Sequence, residues 1–200
     1  INVTFNKSGV YGPEAGVKTV EGNVTVSADN VILQNMNIKG DLILAKGIGE
    51  GEVTLKKITV MGDTEILGGG ENSIVVIDSQ LGQVKILKEN GKIRIVVSGS
   101  AKIGKVIANS GVKLEEENLT GPGFEEVVID AEEGDTIILA GSFETVDVRA
   151  EGITIEIPKG TIVNDLTLDE QASITGRGTI QNAEVNAGGV TFEISPKHIE

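Results

Sequence analysis

Cysteine and tryptophan are absent from this chain, and there are only one tyrosine, one histidine, four phenylalanines and four prolines among 200 residues. Without cysteine there can be no disulfide, no thiolate metal site and no cysteine nucleophile, although the compartment stays open. A Ser-His-Asp arrangement would have to be built on His198, near the C-terminus, where a solvated tail residue is the simpler reading. With so few aromatic residues the core must be aliphatic. No run of 18 apolar residues and no signal-peptide pattern occurs, so nothing in the sequence reads as spanning or entering a membrane. Positive charge is also scarce: the net charge is −13, which argues against nucleic acid as a partner, because phosphate contacts need a basic surface.

What the chain does contain is glycine, 27 residues of it, and a repeat. Gly62-Asp-Thr-Glu-Ile66 is preceded by Gly40-Asp-Leu-Ile-Leu44 and followed by Gly82-Gln-Val-Lys-Ile86 and Gly104-Lys-Val-Ile-Ala108. Pairs with period-two alternation recur at Val24/Val26, Leu42/Leu44, Thr64/Ile66, Val84/Ile86, Val106/Ala108, Val127/Ile129, Val146/Val148, Leu166/Leu168 and Ala183/Val185. The mean step is about 20 residues, a solenoid period. Within one period Val24-Thr-Val26, Val31-Ile-Leu33 and Met36-Asn-Ile38 each alternate, separated by polar corners. The pattern predicts an all-β, right-handed parallel β-helix of about nine rungs with a triangular cross-section, the hand following the usual crossover rule. One module would fill 1–200, with 1–21 as an N-terminal cap or partial rung, 22–195 as regular rungs and 196–200 as a C-terminal tail. The first residue is Ile1 rather than methionine, which suggests a piece of a larger protein with flanking modules on the same polypeptide.

Charge is unevenly spread along the repeat. Between Lys85 and Lys113 lie seven cations against Glu89, whereas Glu115 to Glu170 carries sixteen acids against Arg149 and Lys159. A basic band therefore abuts an acidic one. Lys85, Arg94 and Lys105 in that band are candidate contacts for an acidic polymer, with salt pairing to neighbouring rungs as the alternative, and Tyr11 is a candidate stacking platform for sugar. Phe124, Phe143 and Phe192 occupy apolar positions of the repeat and read as core. The outward ladder Thr25, Ile43, Glu65, Lys85, Ile107, Val128, Asp147, Thr167 and Glu184 holds no paired-acid cluster of the kind a glycosidase needs, and Glu65 beside Lys85 reads as an exposed ion pair.

Corner loops vary between repeats. The longest, Ala45 to Glu52, places Glu50 and Glu52 one rung from Glu71, with Asp63 at the start of an adjoining strand. Hard oxygen ligands in glycine-rich turns suit calcium, so Glu50, Glu52, Glu71 and Asp63 are candidate ligands, set against the simpler reading of solvated loop acids. Gly47-Ile-Gly49-Glu-Gly51 and Gly68-Gly-Gly70 lack the Lys-Ser/Thr and the helix of a phosphate loop and read as tight corners.

From Gly40-Asp-Leu-Ile-Leu through Gly47-Ile-Gly-Glu-Gly-Glu-Val-Thr-Leu-Lys-Lys-Ile-Thr-Val60 to Gly68-Gly-Gly-Glu-Asn-Ser-Ile74, the chain resembles a β-helix module found beside S-layer homology domains in surface proteins of Gram-positive, often thermophilic, bacteria. The likeness runs from about Val3 to Phe192 and is greatest to the carbohydrate-binding modules of surface-anchored laminarinases and xylanases. It implies an extracellular, cell-surface, non-catalytic module that binds polysaccharide, with calcium as its one implied cofactor and a glycoside hydrolase as the parent protein. It carries no binding residue across position by position. Two other functions fit the same residues: a structural spacer or adhesion stalk, and an enzyme acting on acidic polysaccharide at the basic band.

Overall fold

The computed structural model describes residues 1–89 and 92–200. Its strands pair in parallel and stack as a β-solenoid of about ten turns, a parallel β-helix. On the first face Val24, Leu42, Thr64, Val84, Val106, Val127, Val146, Leu166 and Ala183 lie in register, one rung above another. That is the alignment the alternating pairs dictate. A one-residue slip would turn every inward side chain out to solvent.

The expected count of about nine rungs is met by about ten turns, with the ladder continuing through short strands at both ends. Val3–Phe5 pairs with Val24–Val26 below, and His198–Ile199 pairs with Asn182–Ala183 above. His198 therefore belongs to a terminal strand rather than to a free tail. Both end strands are short, the first partly buried and His198–Ile199 exposed, so their alternation is too brief to register as a repeat.

The second face stacks Val31/Leu33, Val53/Leu55, Val112/Leu114, Ile137/Leu139 and Ile153/Ile155 inward, all buried. The third carries Met36/Ile38, Ile58/Val60, Ile103, Phe124, Phe143, Val163 and Ile180. Rungs lie about 4.8 Å apart, so equivalent side chains touch along the axis and the three inner faces merge into one apolar column. Phe124 and Phe143 stack in it with ring centroids 5.8 Å apart, the core role their positions implied.

Each corner has its own chemistry. Between the second and third faces the chain turns through left-handed residues, Asn35, Lys57, Asp78 and Asn118, with φ of 51°, 53°, 48° and 50°. Asn and Asp tolerate this region better than other side chains, and three of the four are of that kind. Near this corner the Glu116 carboxylate accepts the Ser142 backbone N–H. Burial pushes the Glu116 carboxyl above its ordinary value of 4.5, the Ser142 hydrogen bond acting in the opposite direction.

Between the third and first faces lies the glycine motif. Asn2, Asn23 and Asp41 each use Oδ1 to accept the backbone N–H of the residue one rung up, Asn23, Asp41 and Asp63, at 2.9, 2.8 and 2.8 Å. The preceding glycine has to be glycine. A Cβ on Gly62 would stand 2.2 Å from Asp41 Oδ1 and 2.5 Å from the Gly40 carbonyl oxygen. At Gly82 the nearest atom would be 3.9 Å away, so there the motif persists in sequence without its steric cause.

Candidate functional site

The corner between the first and second faces varies in length from rung to rung. From the last inward residue of the first face to the first of the second, the chain takes nine steps at Leu44 to Val53, eight at Ile66 to Ile74 and eight at Ile129 to Ile137, but only four at Ala108 to Val112. The short corner, Asn109 to Gly111, is therefore recessed between longer ones. A groove of about 740 Å³ opens there. It is larger than the hollows of about 260 Å³ beside Lys92 and Arg94 and about 540 Å³ over Phe124 and Phe143.

Leu67 and Leu87, part-exposed at equivalent steps of successive rungs, form its apolar floor. Asn109 and Ser110 continue the floor upward with polar groups; Asn109 Nδ2 donates to the Asp130 carbonyl at 3.1 Å. Lys46 and Glu89 make one wall and pair at 3.3 Å. Glu132 and Asp135 make the other, in a turn that Asp135 Oδ2 closes by accepting the Glu132 backbone N–H at 3.0 Å. The groove continues into a recess of about 200 Å³ beside Gly49 and Glu50.

Lys88 lies at the base of both. Its side chain is only 5% exposed, and Nζ donates to Glu50 Oε1 at 2.6 Å and to the Gly69 carbonyl. At the equivalent step other rungs carry Ala28, Lys46, Gly68, Ser110, Ala131, Ala150 and Glu170, and of these Lys46 and Glu170 are exposed where Lys88 is buried. A lysine can turn inward there because the long corner below supplies both a carboxylate and an open carbonyl. The reading of sequence alone counted Lys88 only as one charge of the basic band. Charge recurs at this step in Lys46 and Glu170, so nothing in the sequence sets Lys88 apart as the buried one.

The calcium ligand set does not assemble. Glu50 is drawn to Lys88, so the positive charge in this corner is an ammonium. Glu52 and Asp63 are exposed, and Glu71 borders the hollow beside Lys92 on the second face. Among the described residues no group of three or more His, Asp or Glu side chains is placed to hold a metal ion.

The candidate sugar contacts are also dispersed. Arg94 is held by Glu115, with Glu117 at 3.7 Å, one rung above. Lys105 faces Glu126 at 3.9 Å, Lys102 faces Glu125 at 3.2 Å, and Lys113 reaches Glu115 at 3.8 Å. Four of the seven cations of the basic band, Arg94, Lys102, Lys105 and Lys113, thus face glutamates of the acidic band that follows, the alternative its composition allowed. Lys85 stands opposite Glu65 in register, yet among the described residues the two form no ion pair within 4.0 Å, contrary to expectation. Tyr11 is not an open platform: its ring lies 4.2 Å from Phe5, and its hydroxyl donates to the Lys7 carbonyl at 2.7 Å. Both rings close the lower end of the apolar column.

Comparison with protein-family models, with curated proteins and with solved structures gives no match to this chain.

Proposed function

We propose that this chain is a non-catalytic polysaccharide-binding module of a cell-surface protein, with the sugar lying along the corner groove. The groove itself carries the reading. Sugar rings present an apolar C–H face and a periphery of hydroxyls, and a leucine floor between polar walls is complementary to both. The walls come from corner insertions, so binding would reside in what varies between rungs while the repeated residues hold the scaffold. The resemblance to modules of surface glycanases supports the same class of ligand and an extracellular setting.

Affinity electrophoresis against β-glucan, xylan and cell-wall polysaccharide, with and without EDTA, tests this. Retention by at least one glycan is expected, and Leu67→Asp/Leu87→Asp should abolish it while the circular dichroism of the β-helix persists. No retention by any glycan sinks the reading.

A second reading, a structural spacer, is favoured by the ion pairs that zip the basic rungs to the acidic ones. Arg94, Lys102 and Lys105 are spent between rungs, as a stalk would use them. Such a module would lose length, and no ligand, when rungs are removed.

A further inference from the structure

We infer that the corner groove takes amino sugars carrying a free ammonium, as in a de-N-acetylated glucosamine polymer, in preference to neutral sugars and against uronic acids. This rests on the polysaccharide-binding reading above and concerns the charge of the occupant.

The charges of the groove do not balance. Of its two cations, Lys88 is buried on Glu50 and Lys46 is paired with Glu89 at 3.3 Å. Two carboxylates on the opposite wall, Glu132 and Asp135, have no cationic partner within 4.0 Å among the described residues. Asp135 uses Oδ2 to accept the Glu132 backbone N–H, and its side chain lines the groove. The rim therefore presents two carboxylates to whatever lies on Leu67 and Leu87, and the chain's net charge of −13 adds to that field. A concave site lined by one sign of charge concentrates the opposite sign, and exposed pairs of this kind are screened by salt. The floor distinguishes a sugar from a simple cation: two leucines one rung apart, about 4.8 Å, offer an apolar strip along which successive rings can lie. The occupant is thus cationic at its edge and apolar on its face. Arg94, Lys102, Lys105 and Lys113 of the basic band face glutamates, and among the described residues Lys88 is the one cation of that band that lines the groove.

The experiment is titration of the whole chain with oligomers of glucosamine, of β-linked glucose and of galacturonic acid, and with oligolysine, at low and at physiological salt. Glucosamine oligomers should bind most tightly, galacturonate least, and the glucosamine preference should shrink as salt rises. Glu132→Gln/Asp135→Asn should lower glucosamine affinity about threefold to tenfold, as expected for two exposed charge contacts. Lys46→Gln, which frees Glu89, should raise it. Glu14→Gln/Glu193→Gln, with the same change in net charge but outside the groove, should leave it unaltered.

Equal or tighter binding of glucose oligomers, or preference for galacturonate, overturns this inference while leaving the polysaccharide reading in place. Oligolysine that binds as tightly as glucosamine and competes with it makes the occupant a basic peptide and also overturns it. Failure of all three sugars to bind overturns this inference, and with no retention by β-glucan, xylan or cell-wall polysaccharide it removes the polysaccharide reading itself.

Discussion

At Thr64 a hydroxyl sits where the other rungs of its column carry Val, Leu or Ala. Among the described residues its Oγ1 is the one buried side-chain polar atom left without a partner, and the residue is 1% exposed. Thr64→Val keeps the shape and removes an unsatisfied group, so it should stabilise the protein by about 1 kcal/mol in urea unfolding. An unchanged or lower midpoint would show that the hydroxyl is satisfied in solution. Glu116 makes a second residue-level case. Because its carboxyl is raised above 4.5, the folded chain holds that proton more tightly than the unfolded one. Its contribution to stability is full below the ordinary value and is lost as pH rises through the raised one. Glu116→Gln should remove this slope, so the stability difference between variant and parent, followed by urea unfolding from pH 4 upward (roughly one unit per step), should shift in favour of the variant with pH. The Lys88–Glu50 pair tests the corner. Glu50→Gln removes the countercharge of a buried ammonium and leaves it only neutral acceptors, and should cost about 1–3 kcal/mol, discounted because Glu50 is itself 69% exposed. Lys88→Met added to it should recover most of that loss.

The recurring element is the glycine corner with its following strand. Gly62 and Gly82 hold the same place in the repeat, each four residues before an inward isoleucine, while their surroundings differ. Gly62→Ala drives a methyl into Asp41 Oδ1 and the Gly40 carbonyl and should destabilise by about 1–3 kcal/mol. Gly82→Ala, with open space around it, should be neutral or stabilising by up to about 1 kcal/mol. Thermal unfolding of the two variants side by side measures the contrast; equal losses would mean that the close approach is not what selects glycine. The strand and the alternation of this element were legible from the residues. The cause of the glycine was not, because it is the carbonyl of another rung, some twenty residues away in the chain.

At the scale of the molecule, each rung touches mainly the rungs above and below, and stability should be close to a sum of rung and interface terms. Val146 and Leu166 are register equivalents. Deleting residues 146–165 should therefore shorten the rod by about one rung, roughly 4.8 Å, and leave a folded β-helix by circular dichroism. Loss of the β signal on this deletion would show that the rungs are not interchangeable. The deletion lies outside the residues that line the corner groove, so glycan retention should survive it, whereas a spacer would lose only length.

The parallel β-helix, its register and its aliphatic core were determined by sequence alone. Period-two alternation repeated about every twenty residues admits one way of burying all its apolar pairs. The fate of the charges and the place of the groove were decided only in the tertiary structure. Whether Arg94 is free or bound depends on Glu115 arriving one rung above it, and whether Lys88 points out or in depends on Glu50 and Gly69 reaching it from rungs below. The groove exists because a four-step corner lies between longer ones. Alternation records which side of a strand a residue occupies, and it carries no record of how far a neighbouring corner protrudes. That is why the hollow beside Leu67 and Leu87 is not legible in the residues that form it.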